Sequence, residues 1–164
     1  MGAAENPGSH PSYNYAARHS HFFVLRDLNG DADCAPEFIG AVLPRLEPKL
    51  ALRIAVREIE AWLLADAEAV GSFLGLSSRS IPAAPDGLAH PKQTLVEFAR
   101  RARKLDIRFD MAPRPGSTAT VGPAYTDRIA ELALKHWRPD KAAQRSPSLS
   151  SCIRALRRWK RSPA

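Results

Sequence analysis

The sequence predicts an α/β fold, a small parallel sheet flanked by helices, with a helical C-terminal half. Residues 21–26 and 52–56 have the aromatic and β-branched composition of short strands. The second segment passes directly into a helical pattern, in which Ile59, Trp62 and Leu63 recur at helical spacing. Strands that continue into helices are typical of parallel sheets, whose ligands bind at the carboxyl edge of the strands.

Length and composition set the domain organisation. The 164 residues suit one domain. We expect residues 1–18, which lack a steady period, to be flexible and residues 19–160 to form the domain. The sequence has neither a long apolar run nor an apolar amino-terminal signal. We therefore expect a cytoplasmic protein with no membrane partner, in which Cys34 and Cys152 are unpaired thiols.

Helical patterns account for most of the remaining chain. A helix is expected from Pro36 through about Leu46, although Pro44 must end or bend it. Three further helices are expected to start at Pro91, Tyr125 and Ser148. Residues 110–123 are rich in Pro and Gly and form a connection long enough to cover a site.

The net charge of +7 belongs to the carboxyl end of the chain. Residues 135–164 contain nine Lys or Arg and one Asp, so the other residues sum to about −1. A basic helix face can bind a phosphate backbone, but it is usually just solvated. The sequence has no P-loop motif and no spacing typical of a Ser/His/Asp triad.

Acidic residues follow both predicted strands. Asp27 ends the first strand, and Glu58 and Glu60 lie where the second strand meets its helix. If the strands are parallel neighbours, these carboxylates meet at one sheet edge, where Mg²⁺ would relieve their repulsion. The alternative is that the glutamates form ion pairs with arginines and Asp27 closes a local turn. The candidate arginines are Arg26, Arg53 and Arg57.

Asp66 falls in the apolar stripe that a continuous helix from Ile59 would have. An unpaired carboxylate in that position is costly. The sequence therefore favours a break, with Asp66 as the N-cap of a second helix containing Val70 and Phe73. Asp66 is also a second-rank candidate metal ligand.

Several segments together resemble a known family. They are Phe23-Val24-Leu25-Arg26-Asp27-Leu28, Cys34-Ala35-Pro36, and the block 53–66 with its ending Glu60-Ala61-Trp62-Leu63-Leu64-Ala65-Asp66. Later pieces are Pro91-Lys92, Arg114-Pro115-Gly116, Gly122-Pro123-Ala124-Tyr125, Trp137-Arg138-Pro139 and Arg145-Ser146-Pro147-Ser148-Leu149. Over residues 14–158 the chain resembles the uncharacterised bacterial family called domain of unknown function 4276.

That family is similar to the Toprim-like folds of topoisomerases, primases and nucleases, which bind Mg²⁺ through carboxylates and act on phosphodiesters. The resemblance implies that Asp27 is the first acid of an Asp-x-Asp pair and Glu60 the acid of the later block, both with catalytic roles. It implies further metal contacts at Asp31 and Glu58. Phosphate contacts are implied at Lys92 or Arg114.

The chain departs from the family pattern in two places. Asn29 replaces the second acid of the Asp-x-Asp pair. The amino-terminal strand and glutamate that begin the Toprim motif have no counterpart here, so either the start is misassigned or the protein is a truncated remnant. Two hypotheses follow: a Mg²⁺-dependent nuclease-like protein that acts on nucleic acid in phage defence, or a non-catalytic module that partners a neighbouring ATPase.

Overall fold

A computed structural model of the protein describes residues 9–28, 34–56 and 58–161. Two strands, β1 (Phe22–Asp27) and β2 (Leu50–Ala55), pair in parallel. Within the described residues they form the whole sheet. The predicted fold class, a small parallel sheet flanked by helices, is confirmed.

Helices form most of the remaining regular structure. They are α1 (Ser9–Ala16), α2 (Ala35–Val42), α3 (Ile59–Ala65), α4 (Ala67–Leu74), α5 (Pro91–Arg100), α6 (Leu105–Met111), α7 (Tyr125–Lys135), α8 (Pro139–Ala142) and α9 (Pro147–Arg161). Two short 3₁₀ turns lie at Ser78–Ser80 and Pro85–Gly87. Of the helices described, none is long and apolar enough to cross a membrane.

The structure confirms the helices predicted at α2, α5, α7 and α9, and it adds three that the sequence did not predict, α1, α6 and the short α8. Helix α1 lies in the segment predicted to be flexible. It is tied to the loop before β2, because the Asn14 side chain donates to Arg45 O at 2.9 Å and accepts from Glu47 N at 2.9 Å. Helix α6 begins before the predicted connection 110–123 and includes its first two residues.

Helix α3 joins the sheet to the helical half of the molecule. Leu63 and Leu64 pack into a core built with α4, α5, α6 and α7. Trp62 and Ala65 pack into a separate core with the start of α9. Leu50, Leu52 and Ile54 of β2 pack against α2 in a third core. Helix α3 is therefore packed on two sides.

Asp66 breaks the helical run as the sequence predicts. Its Oδ1 accepts a hydrogen bond from Ala69 N at 3.1 Å and so caps α4. Its two oxygens also accept from the Arg138 guanidinium, Oδ1 at 2.7 Å and Oδ2 at 2.8 Å. Burial alone would raise the pKa of Asp66, but these hydrogen bonds outweigh it and lower the pKa. Asp66 is a charged structural residue.

Gly122 allows α7 to start against the end of α6. Gly122 N donates to Met111 O at 2.9 Å, and Ala124 N donates to Asp110 O at 3.0 Å. A Cβ atom at this position would overlap the Asp110 carbonyl.

We therefore expect Gly122→Ala to lower the free energy of unfolding in urea by about 1–3 kcal/mol, the usual cost of overpacking. Gly87→Ala is the matched control, since an added Cβ there meets nothing within 4 Å. It should change the free energy by less than about 0.5 kcal/mol. Equal effects of the two substitutions would contradict this account of the α6–α7 junction.

Candidate functional site

The parallel register brings the acids that follow the two strands to one edge of the sheet. Asp27 ends β1 opposite Ala55, the last residue of β2. Asp27 Oδ1 accepts a hydrogen bond from Ile59 N at 2.8 Å, which joins the end of β1 to the first residue of α3. Glu60 is the second residue of α3, and its charge acts on the carboxyl group of Asp27.

Glu60 is the most buried acid of this site, with only 2% of its surface exposed. Its Oε1 accepts a hydrogen bond from the Tyr125 hydroxyl at 3.0 Å and lies 3.6 Å from Lys92 Nζ. Its Oε2 is buried and has no hydrogen-bond partner. A buried carboxylate oxygen without a partner is costly, so this atom marks a position that favours a cation.

Glu58 positions the start of α5. Its Oε2 accepts a hydrogen bond from Lys92 N at 2.8 Å. The backbone of Lys92 is thus fixed by one glutamate while its side chain, 43% exposed, approaches the other. We call Asp27, Glu58, Glu60, Lys92 and Tyr125 the acid cluster.

Glu60 forms its described ion pair with Lys92 and not with Arg26 or Arg53. Arg53 Nη1 donates instead to Leu52 O at 2.6 Å, and Arg26 lies over the ring of Phe38. Arg57 lies outside the described residues.

Burial and like charge shape the protonation of the acid cluster. Burial, and then the charge of Glu60, raise the pKa of Asp27 to about 6, although the hydrogen bond from Ile59 and the charge of Lys92 oppose them. Burial and the neighbouring Glu60 also raise the pKa of Tyr125 above its ordinary value. Tyr125 is therefore a protonated hydrogen-bond donor at neutral pH. The repulsion between the carboxylates of the acid cluster favours the binding of a cation.

Of the other candidate ligands, only Asp66 lies in the described part of the chain. Asp31 lies outside the described residues. Asp66 is committed to α4 and Arg138. No group of three or more His, Cys, Asp or Glu that could hold a metal occurs in the part of the chain that the structure describes. Within the cluster, Asp27 and Glu60 are the candidate pair of carboxylates, and Mg²⁺ is commonly held by one or two carboxylates together with waters.

A cavity of about 440 Å³ opens beside Glu58 and Lys92. His90, Gln93, Glu97 and Arg100 line it as well, so its polar wall combines charges of both signs with hydrogen-bond donors. Arg114, the second predicted phosphate contact, lines a neighbouring cavity that shares Arg100 with this one. These donors suit an anionic ligand.

Tyr125 was not predicted as a site residue. Its hydroxyl contacts an acid that lies 65 positions away in the sequence, and no local pattern predicts such a contact. The available signal was its place in Gly122-Pro123-Ala124-Tyr125, one of the segments that carry the family resemblance.

Comparison with protein-family models, with curated proteins and with solved structures finds no match for this chain. Membership of the family called domain of unknown function 4276 stays a prediction from the segments quoted above.

The raised pKa of Asp27 predicts a pH-dependent gain in stability for Asp27→Asn. The carboxyl group binds its proton more tightly in the folded state (pKa about 6) than at its ordinary value of 3.8. Its stabilising contribution is therefore complete below pH 4 and is lost as the pH rises through 6. In EDTA, Asp27→Asn should melt above wild type at pH 8 and close to it at pH 4, because the amide oxygen still accepts from Ile59 N.

Glu97→Gln is the control for this measurement, since Glu97 is exposed on α5. Its difference from wild type should be small at both values of pH. A lower melting temperature for Asp27→Asn than for wild type at pH 8 would contradict the electrostatic account of the cluster.

Proposed function

We propose that the protein is a Mg²⁺-dependent, nuclease-like protein that acts on phosphodiesters, with Asp27 and Glu60 holding the metal. The observation that carries the proposal is the buried Glu60 Oε2, which has no hydrogen-bond partner, on a glutamate whose charge acts on the carboxyl group of Asp27. Carboxylate oxygens are the ligands that Mg²⁺ prefers. Bound Mg²⁺ would supply Lewis-acid polarisation of a phosphoryl oxygen.

The other members of the acid cluster have positioning and charge roles in this proposal. The Tyr125 hydroxyl holds Glu60 Oε1 and leaves Oε2 available. The partly exposed Lys92 ammonium lies at the boundary between the cluster and the polar cavity, where it can neutralise a phosphate. Glu58 keeps Lys92 there through the Lys92 backbone. Arg100, whose Nε lies 3.7 Å from Glu97 Oε1, is a second guanidinium or ammonium donor on the same cavity.

The second candidate function is the non-catalytic module that partners an ATPase. The observation that favours it is the Lys92 ammonium, 3.6 Å from Glu60 Oε1, which is already a cation in the cluster. In this case Lys92 is a permanent counter-ion and the acid cluster stabilises the fold only. Removal of Lys92 then leaves a buried acid unpaired and lowers stability.

Calorimetric titration with Mg²⁺ and Mn²⁺ tests the metal proposal. Wild type should bind, and Asp27→Asn and Glu60→Gln should each bind more weakly by about tenfold or more, since even second-shell partners of metal ligands carry that much. Glu97→Gln should bind like wild type, because this exposed acid lies on the cavity but outside the cluster. Absence of binding to wild type would refute the metal site.

A nuclease assay with Lys92→Met separates the two functions. The first predicts that this variant still binds Mg²⁺ and hydrolyses labelled oligonucleotides more slowly than wild type. The second predicts no hydrolysis by either protein and a lower melting temperature for the variant.

A further inference from the structure

A second cavity, of about 770 Å³, lies next to the polar one and shares Arg100 with it. Its wall is largely apolar and is formed by the end of α6 and the connection after it. The apolar lining residues are Phe109, Ala112, Pro113, Pro115 and Pro123. Arginines 100, 108 and 114 line the same cavity. An apolar wall with several guanidinium groups suits a ligand that is both flat and anionic.

Phe109 is an unusual wall residue because 64% of its surface is exposed. Helix α6 buries Ile107 and Met111 and leaves Phe109 outside the core. An exposed ring beside a cavity is available for stacking, and every nucleobase has a face that can stack on it.

Arg114 is presented to this cavity by a tight turn. Ser117 N donates to Arg114 O at 3.0 Å, and Gly116 has a φ of 80°. The acid in the lining, Asp110, accepts a hydrogen bond from Arg128 at 2.8 Å, which neutralises its charge. The cavity therefore keeps a positive balance that attracts phosphate.

We propose that this cavity binds a base of single-stranded nucleic acid, stacked on Phe109, with Arg114 and Arg100 contacting the neighbouring phosphates. Because Arg100 lines both cavities, a strand held on Phe109 continues past Arg100 toward Lys92. A base in a duplex is stacked and paired, so only a single strand can place one here. The bound strand would be the substrate of the proposed nuclease-like activity, and in that respect the inference rests on the proposed function. The binding of the strand itself needs no metal.

Fluorescence anisotropy with a labelled oligothymidylate of about 12 nucleotides, in EDTA, tests this binding site. Phe109→Ala should weaken binding by about tenfold or more, the usual effect of losing one stacking ring. Phe109→Leu should weaken it too, because an aliphatic side chain cannot stack. Leu105→Ala is the matched control: Leu105 is 59% exposed, lies one turn earlier on α6 and does not line the cavity.

The salt dependence tests the arginine contact. Each phosphate contact to a single strand contributes about 0.7 to the slope of log K against log salt. Arg114→Ala should therefore reduce that slope by about 0.7, and Leu105→Ala should leave it unchanged.

Three results would overturn the inference. They are no binding by wild type, binding of Phe109→Ala equal to that of wild type, and equal affinity for a duplex of the same length. Wild type that fails to bind the strand but binds a peptide would indicate a protein-binding cavity instead. Phe109→Ala should bind Mg²⁺ like wild type, because Phe109 lies outside the acid cluster, so loss of metal binding and loss of strand binding are separable. Oligouridylate in place of oligothymidylate compares RNA with DNA.

Discussion

The parallel pairing of β1 with β2 is the constraint on which the rest of the structure depends. It places the end of β1 beside the end of β2, so that Asp27 can accept the amide of Ile59 at 2.8 Å. The next residue, Glu60, is then held next to a second carboxyl group in a buried position. Burial and repulsion oppose this arrangement, as the pKa of about 6 for Asp27 records. Tyr125 and Lys92 compensate only one of the two oxygens of Glu60.

A helix as short as α3 needs support from its surroundings, since isolated helices of this length are unstable in water. Trp62 Nε1 donates to Ser148 Oγ at 2.8 Å, and Trp137 Nε1 donates to Trp62 O at 3.0 Å. Arg138 holds the residue at its end, Asp66. Three of the segments quoted for the family resemblance, 53–66, 137–139 and 145–149, therefore join α3 to the C-terminal helices, and their contacts hold α3 in place.

The sequence predicts what depends on local patterns. The strand-to-helix change before Ile59 and the capping role of Asp66 are both readable within a few residues, and both are confirmed. The contact of Tyr125 with Glu60 joins distant segments and follows only from packing. Helix α6 escaped prediction because its four apolar residues alternate along the chain, so two are buried and two are exposed. They are Leu105, Ile107, Phe109 and Met111.

The most direct test of the central claim is a crystal structure determined with Mn²⁺ at pH 8, with the anomalous signal of the metal recorded. The account predicts a peak bonded to a carboxylate oxygen of Asp27 and to Oε2 of Glu60, with Tyr125 still on the other oxygen of Glu60. A structure without a peak there, in which Lys92 alone neutralises Glu60, would contradict it and leave the acid cluster a purely structural feature.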